Sequence, residues 1–126
     1  FSEEGASLFE AVQVVIVRLM VPKNEKRKWL PARLVHTTLD QDAWVIQWYN
    51  THEDGDMLNA KYYPAWQKPN GEEAYRSSAK TGWRSLEWTV YKGRFISPAF
   101  KFVNHRLPPT IRAIIKAHSV SKPAKT

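Results

Sequence analysis

The sequence predicts a mainly β fold: a small five-stranded barrel with a C-terminal helix and a long loop or helical insertion before the last strand. Segments rich in β-branched and aromatic residues alternate with turn residues along most of the chain, as they do in small all-β domains. Sustained helical periodicity occurs at residues 107–118. The length of 126 residues suits a single domain, predicted for residues 11–118 between an N-terminal flank at 1–10 and a basic tail at 119–126.

The first two predicted strands flank a charged loop. Residues 11–21 are rich in valine and stop at Pro22, which favours a buried strand. Residues 23–28 are mostly charged and predict a loop. Residues 29–37 predict the second strand, with Pro31 near its start, where proline is tolerated.

The third and fourth predicted strands lie on either side of an acidic turn. Residues 43–49 alternate in the manner of a strand. Residues 53–56, with the sequence Glu-Asp-Gly-Asp, predict a turn. Residues 57–63 then predict a short fourth strand.

A segment rich in turn residues separates these strands from the last one. Residues 62–73 predict a long loop and residues 72–80 a helical turn, before residues 84–91 alternate again as the last strand. Trp66 and Trp83 lie in or beside this loop, where a role in the core is least assured. They are therefore candidates for stacking on a base or for covering a pocket.

The predicted helix has one apolar face and one basic face. Proline is accepted in a first helical turn, which suits the two prolines near its start. The apolar face carries Ile111, Ile114, Ile115 and His118. Arg112 and Lys116 lie one turn apart on another face.

The charge of the chain favours an acidic partner, with nucleic acid ahead of an anionic membrane. The net charge is +7, and residues 89–126 contain eight basic and no acidic residues. Residues 34–60 contain carboxylates but neither lysine nor arginine. If the first hairpin loop and the last helix lie side by side, phosphates would be neutralised by one basic face. The predicted nucleic-acid contacts on that face are Lys23, Lys26, Arg27, Lys28, Arg112 and Lys116.

The chain lacks the residues and motifs that several classes of protein function require. The chain has no cysteine, which excludes disulfides, cysteine-ligated zinc and thiol nucleophiles. It has no metalloprotease motif, nucleophile elbow or glycine-rich phosphate loop, and no apolar run long enough to cross a bilayer. His36 and His52, with Glu53, are the nearest approach to acid–base chemistry, but their spacing does not demand it. We therefore expect no enzyme activity, no catalytic residue, no metal and no cofactor.

Two motifs resemble the PWWP domain, a Tudor-like barrel that reads chromatin. Residues 29–34, Trp-Leu-Pro-Ala-Arg-Leu, match a family strand that begins aromatic-Pro-Ala-Arg-Val. Residues 48–53, Trp-Tyr-Asn-Thr-His-Glu, match a family strand that ends in aromatic residues. The chain departs from the family at Leu30, where an aromatic residue normally precedes the motif proline, and in its first strand, which lacks the usual Gly-Asp-Leu-Val-Trp-Ala-Lys pattern.

The resemblance implies an SH3/Tudor-like barrel that binds a methylated lysine in an aromatic cage. Ring faces attract a methylated ammonium by about 0.5–2 kcal/mol each. The predicted cage consists of Trp48, Trp29, Tyr49 and Glu53, with Asp54 as an alternative carboxylate. Because neighbouring side chains of a strand point to opposite faces, only one of Trp48 and Tyr49 lines the pocket while the other packs.

The resemblance also implies partners and a compartment. The expected partners are a methylated histone tail, in the first instance that of histone H3, together with DNA and other chromatin proteins, and no membrane. The expected location is the nucleus. Two alternatives stay open: a basic barrel that binds DNA or RNA without reading methyl-lysine, and an adaptor that presents its aromatics to another protein. In the first alternative the tryptophans lie in the core or stack on bases, and in the second the aromatic residues form the adaptor surface.

Overall fold

The computed structural model describes residues 13–20, 28–40 and 42–121, with no side-chain description for the last three of these. The predicted N-terminal flank, the charged loop that holds Lys23, Lys26 and Arg27, and the end of the basic tail lie outside the described residues.

The described residues form seven β-strands and one α-helix, which confirms a mainly β fold with a C-terminal helix. The strands are β1 (Val14–Arg18), β2 (Trp29–Thr37), β3 (Ala43–Asn50), β4 (Tyr63–Gln67), β5 (Glu73–Tyr75), β6 (Arg84–Ser85) and β7 (Glu87–Tyr91). A 3₁₀ turn, Lys92–Arg94, follows β7, and the helix α1 spans Pro109–Ser121. In the described part of the chain, no helix is long and apolar enough to span a membrane.

The described strands form one seven-stranded antiparallel sheet, whose two parts we call the main sheet and the inserted sheet. In the main sheet, β2 pairs with β1 and β3, and β7 pairs with the first part of β3. The end of β3 pairs instead with β4, which also pairs with β5 and β6 to make the inserted sheet. The chain passes from the inserted sheet to the main sheet at Leu86, whose amide donates to Ala65 and whose carbonyl accepts from the amide of Trp48.

The pairing of the described strands does not close into a barrel. The outer edge of β1 is met by the segment that follows the 3₁₀ turn. This segment makes two isolated bridges, between Val17 and Phe95 and between Val14 and Phe100. The amide of Ile96 also donates to the carbonyl of Ile16 over 2.9 Å.

The region before the last strand differs from the prediction. The expected long loop and helical turn are wrong, because residues 63–67 and 73–75 pair as β4 and β5. The tight turn between them needs a left-handed residue, which Gly71 supplies with φ of 92°. The predicted fourth strand at residues 57–63 is also wrong, because residues 57–59 form a turn and residues 60–62 have no regular structure before β4 begins. The Asp56 carboxylate accepts from the amide of Leu58 and closes that turn.

Both faces of the main sheet carry a cluster of buried residues. One face carries the first core cluster, made of Ile16, Tyr49, Ala60, Tyr62, Leu107, Ile111 and Ile115. The other carries the second core cluster, made of Val15, Val17, Ala32, Ile46 and Val90. Strand alternation explains the division, because Ile16 points away from its neighbours Val15 and Val17.

The helix covers the first core cluster. Ile111 and Ile115 are buried and Ile114 is half-buried, as the predicted apolar face requires. His118, which was predicted on the same face, is exposed at the end of the helix. Burial of each large apolar side chain is worth about 1.5–3 kcal/mol, so this contact fixes the helix on the sheet.

Candidate functional site

The two aromatic residues at the end of β3 lie on opposite faces of the main sheet. Trp48 is half-buried and packs against the second core cluster. Tyr49 is 9% exposed and belongs to the first core cluster, with its ring centroid 5.0 Å from that of Phe102. Burial raises the pKa of the Tyr49 hydroxyl, and the positive charge of Arg33 opposes that rise. Only one of the two rings is therefore available to any single pocket.

The predicted cage residue Trp29 lies with Tyr49 rather than with Trp48. It is half-buried against the first core cluster, and its ring centroid is 6.2 Å from that of Tyr62. The structure thus places Trp29 and Trp48 against different core clusters, on opposite faces of the sheet.

Glu53, the predicted carboxylate of the cage, braces a surface loop. Its side chain accepts a hydrogen bond from the amide of Lys61 over 3.1 Å, and its own amide donates to the Thr51 hydroxyl. These bonds hold the turn that connects β3 to β4. The structure therefore does not bring the four predicted cage side chains together around one pocket.

A different set of tryptophans shares one face of the main sheet. Trp44 and Trp48 lie four residues apart on β3, and Trp88 on β7 is the direct partner of Ile46 between them. Trp88 is 60% exposed, whereas Trp44 and Trp48 are half-buried. The period of two along β3 was the signal in the sequence that would have grouped Trp44 with Trp48.

The C-terminal basic segment, residues 92–116, carries positive charge that no described carboxylate pairs with directly. Its basic residues are Lys92, Arg94, Lys101, Arg106, Arg112 and Lys116. Among the described residues, the one ion pair joins Lys68 and Glu72, outside this segment.

The arginines of this segment are held by backbone carbonyls. Arg94 donates to the carbonyl of Arg18 over 3.0 Å, and Arg112 to that of Leu107 over 2.7 Å. Arg106 donates in the same way to the carbonyl of Asn59. A carbonyl fixes a guanidinium without cancelling its charge, so the segment keeps its positive potential.

One acidic group faces the helix. Asp56 has a lowered pKa, mainly because the Asn59 side chain donates to its carboxylate, with a smaller contribution from the charge of Lys116. The two predicted contacts on the helix, Arg112 and Lys116, are half-buried and exposed respectively. Lys28 is half-buried at the start of β2. The predicted alignment of the charged loop with the helix involves residues outside the described chain and stays a prediction.

A second cationic cluster surrounds Trp83 on the inserted sheet. The Lys68 and Lys80 ammonium nitrogens and the Arg76 guanidinium carbon each lie 5.9 Å from the centroid of the Trp83 ring. We call Trp83 and these three cations the Trp83 site. Trp83 is half-buried and belongs to neither core cluster of the described residues.

Local turns bring the members of the Trp83 site together. The amide of Trp83 donates to the carbonyl of Lys80, which closes a turn that contains Gly82 at φ of 85°. A side chain at Gly82 would meet Pro69 at 3.4 Å, so this turn lies against the turn that follows Lys68. These cations lie eight and four residues apart in the sequence, and only the pairing of β4 with β5 and β6 makes them neighbours.

The Arg76 backbone is fixed by a tryptophan. The indole nitrogen of Trp66 donates to the carbonyl of Arg76 over 2.9 Å, and the amide of Arg76 donates to the carbonyl of Pro64. Trp66, one of the two tryptophans singled out from the sequence, therefore supports the site, while Trp83 lies at its centre.

The histidines considered for acid–base chemistry are engaged separately. His36 contacts the carbonyl of Thr37, and His52 contacts that of Tyr75, with its ring centroid 5.3 Å from the Tyr75 ring. Within the described residues, no group of three or more histidines and carboxylates is arranged to hold a metal ion.

Comparison with known proteins adds no relative: no protein-family model, no curated protein and no solved structure matches the chain.

Proposed function

We propose that this chain is a non-catalytic module that binds the phosphate backbone of nucleic acid through its C-terminal basic segment. The observation that carries the proposal is the composition of residues 89–126, which hold eight basic and no acidic residues. Its three arginines rest on carbonyls rather than carboxylates, so their charge is available to a polyanion. Neutralised phosphates release counterions, which gives affinity without a sequence code.

The proposal is tested by measuring the fluorescence anisotropy of a labelled short duplex between about 50 and 200 mM salt. We expect the logarithm of the affinity to fall linearly with the logarithm of the salt concentration. Lys101→Gln and Lys116→Gln are each expected to reduce the slope by about 1, because each removes one phosphate contact. Lys61→Gln, which removes the same charge from outside the segment, is the matched control and should keep the slope. Absence of salt-dependent duplex binding by the unmodified protein would refute the proposal.

We further propose that the main sheet is a variant of the Tudor-like barrel. A barrel requires the two edge strands of a sheet to meet. The edges here are β1 and β7, and the short segment that leaves β7 through the 3₁₀ turn reaches β1 at Phe95 and Phe100. This return of the chain supports the proposal, although the bridges are isolated rather than a continuous ladder.

A second candidate function is the reading of methylated lysine on nuclear chromatin. It is favoured by the shared face of Trp44, Trp48 and Trp88, since exposed ring faces attract a methylated ammonium. In this version Trp88 replaces Trp29 and Tyr49 in the cage. Trp88→Ala should then abolish binding of a trimethylated histone H3 peptide while duplex affinity is retained, as measured by calorimetry. Failure of the unmodified protein to distinguish methylated from unmethylated peptides would remove this candidate.

A further inference from the structure

The Trp83 site is built differently from the C-terminal basic segment. It combines a large aromatic ring with three cations, whereas the segment offers cations held by backbone carbonyls. It also lies on the inserted sheet, and among the residues of the three strands there, all of which are described, only Ala65 is buried. Trp83 therefore belongs to neither core cluster, and the described contacts of its ring are with cations.

The cations are gathered loosely around the ring. A separation of 5.9 Å is close to the outer limit for a cation–π contact, and Arg76 and Lys80 are exposed. Lys68 also forms an ion pair with Glu72, whose carboxylate lies 3.4 Å from the Lys68 ammonium. Three like charges near one ring repel each other, and an anion placed among them relieves that repulsion. The site is thus suited to a ligand with a negative group and a flat face.

We propose that the Trp83 site binds one nucleotide of a single-stranded nucleic acid. The base stacks on the Trp83 ring, and the neighbouring phosphates attract Lys80 and Arg76 away from the ring. Every base has a π face, so this contact recognises single strands of DNA and RNA alike without reading sequence. In a duplex the bases are already stacked within the helix, so the ring has no face to stack on. The inference builds on the proposed nucleic-acid binding but concerns a separate surface.

The inserted sheet holds the site in one shape. The turn at Gly82 lies against Pro69, and the Trp66 indole clamps the backbone of Arg76. Such bracing limits the loss of conformational entropy when the strand binds. Arg76 and Lys80 are free to move their side chains toward a phosphate, since the described contacts place only their backbones in hydrogen bonds.

The proposal is tested with Trp83→Ala and a control, Tyr91→Ala, which removes an exposed aromatic side chain of β7 that belongs to neither proposed site. Anisotropy is measured with a short oligothymidylate, with the corresponding oligouridylate and with a duplex. We expect Trp83→Ala to weaken binding of both single strands by about 5- to 30-fold and to leave duplex affinity unchanged. Tyr91→Ala should leave single-strand affinity unchanged. Unaltered single-strand affinity in Trp83→Ala, or an equal loss for single strand and duplex, would overturn the proposal.

A second measurement uses the unmodified protein and so does not depend on the folding of a variant. The Trp83 indole resonance, assigned by its absence in Trp83→Phe, is followed by NMR during titration with oligothymidylate and with an abasic strand of the same charge. Stacking predicts upfield shifts with oligothymidylate alone. The same response to both strands, or no response, would overturn the proposal.

The two proposals fail separately. Binding of oligothymidylate without salt-dependent binding of duplex would remove the role of the C-terminal basic segment and support the Trp83 site. Salt-dependent binding of duplex, with no effect of Trp83→Ala on single-strand affinity, would support the role of the C-terminal basic segment and remove the Trp83 site.

Discussion

Trp29 and Trp48 of the main sheet and Trp83 beside the inserted sheet have opposite kinds of neighbours. In the main sheet, Trp29 and Trp48 pack against the two core clusters, and their rings are half-buried by apolar neighbours. Beside the inserted sheet, three cations instead lie around Trp83, each 5.9 Å from the centroid of its ring. The same residue type therefore has apolar neighbours in one place and charged neighbours in the other, and the second place is the proposed binding surface. The strands differ in the same way, because among the described residues in the strands of the inserted sheet only Ala65 is buried.

The comparison predicts a large difference in stability between core and surface substitutions. Ile16 is fully buried between the main sheet and the helix, so Ile16→Ala should lower the free energy of unfolding by about 2–5 kcal/mol. Leu39→Ala is the control, because Leu39 is fully exposed and its loss should change the free energy by less than about 0.5 kcal/mol. Urea unfolding measures both. If Trp83→Ala cost as much as Ile16→Ala, the ring would belong to the core and the comparison would fail.

A smaller loss of stability is expected when a substitution strains the turn at Gly82, directly before Trp83. Gly82 adopts φ of 85°, so Gly82→Ala should cost about 1–2 kcal/mol and displace Trp83 from the cations, which weakens single-strand binding. Gly93 has no such φ and no atom within 4 Å of an added side chain, so Gly93→Ala should be neutral or slightly stabilising. Thermal unfolding and single-strand titration report the two effects. Gly82→Ala with wild-type stability and affinity would show that the turn does not position the ring.

The buried hydroxyl of Tyr49 predicts a loss of stability at alkaline pH. Burial raises its pKa in the folded protein above the ordinary value of 10.0, because the charged form is poorly solvated there. The neutral group therefore stabilises the fold fully below pH 10.0, and this contribution is lost as the pH rises above that value. Tyr49→Phe should flatten the dependence of urea stability on pH above this point, whereas Tyr91→Phe, on the exposed part of β7, should not. Identical profiles for the wild type and Tyr49→Phe would contradict the burial.

The smallest change in the free energy of unfolding is expected when the ion pair beside the Trp83 site is removed. Glu72 is well exposed, so Glu72→Gln should change the free energy of unfolding by about 0–1 kcal/mol at most. It releases Lys68 toward a bound phosphate and should therefore strengthen single-strand binding modestly. Glu87→Gln, an equal change of charge on the main sheet, is the control for a general electrostatic effect. Equal gains in both variants would assign the effect to net charge rather than to the site.

The sequence predicted the elements that have a strong local pattern. The run of β-branched residues predicted β1, which is buried on both faces. The motifs predicted β2 and β3, and the isoleucine spacing predicted the buried face of α1. The inserted sheet escaped prediction because its strands are only five, three and two residues long, and the longest of them contains Pro64. Such strands are specified by their partners rather than by their own residues.

The arrangement of the candidate site residues was likewise predictable only where it depends on a local sequence pattern. Alternation along β3 correctly separated Trp48 from Tyr49, because a period of two is a local property. It gave no means of knowing that Trp29 lies with Tyr49, since that depends on the pairing of β1, β2 and β3 with the helix. The cations around Trp83 are separated along the chain, so their proximity exists only after the inserted sheet has formed.

The account is tested most directly by mapping two ligands on the same protein. Backbone and indole NMR shifts are recorded during titration with a short duplex and, separately, with oligothymidylate. The account predicts that duplex perturbs the C-terminal basic segment, and that oligothymidylate perturbs in addition the turns around Gly82 and the indole of Trp83. Perturbation of one common surface by both ligands, with no response from Trp83, would contradict it.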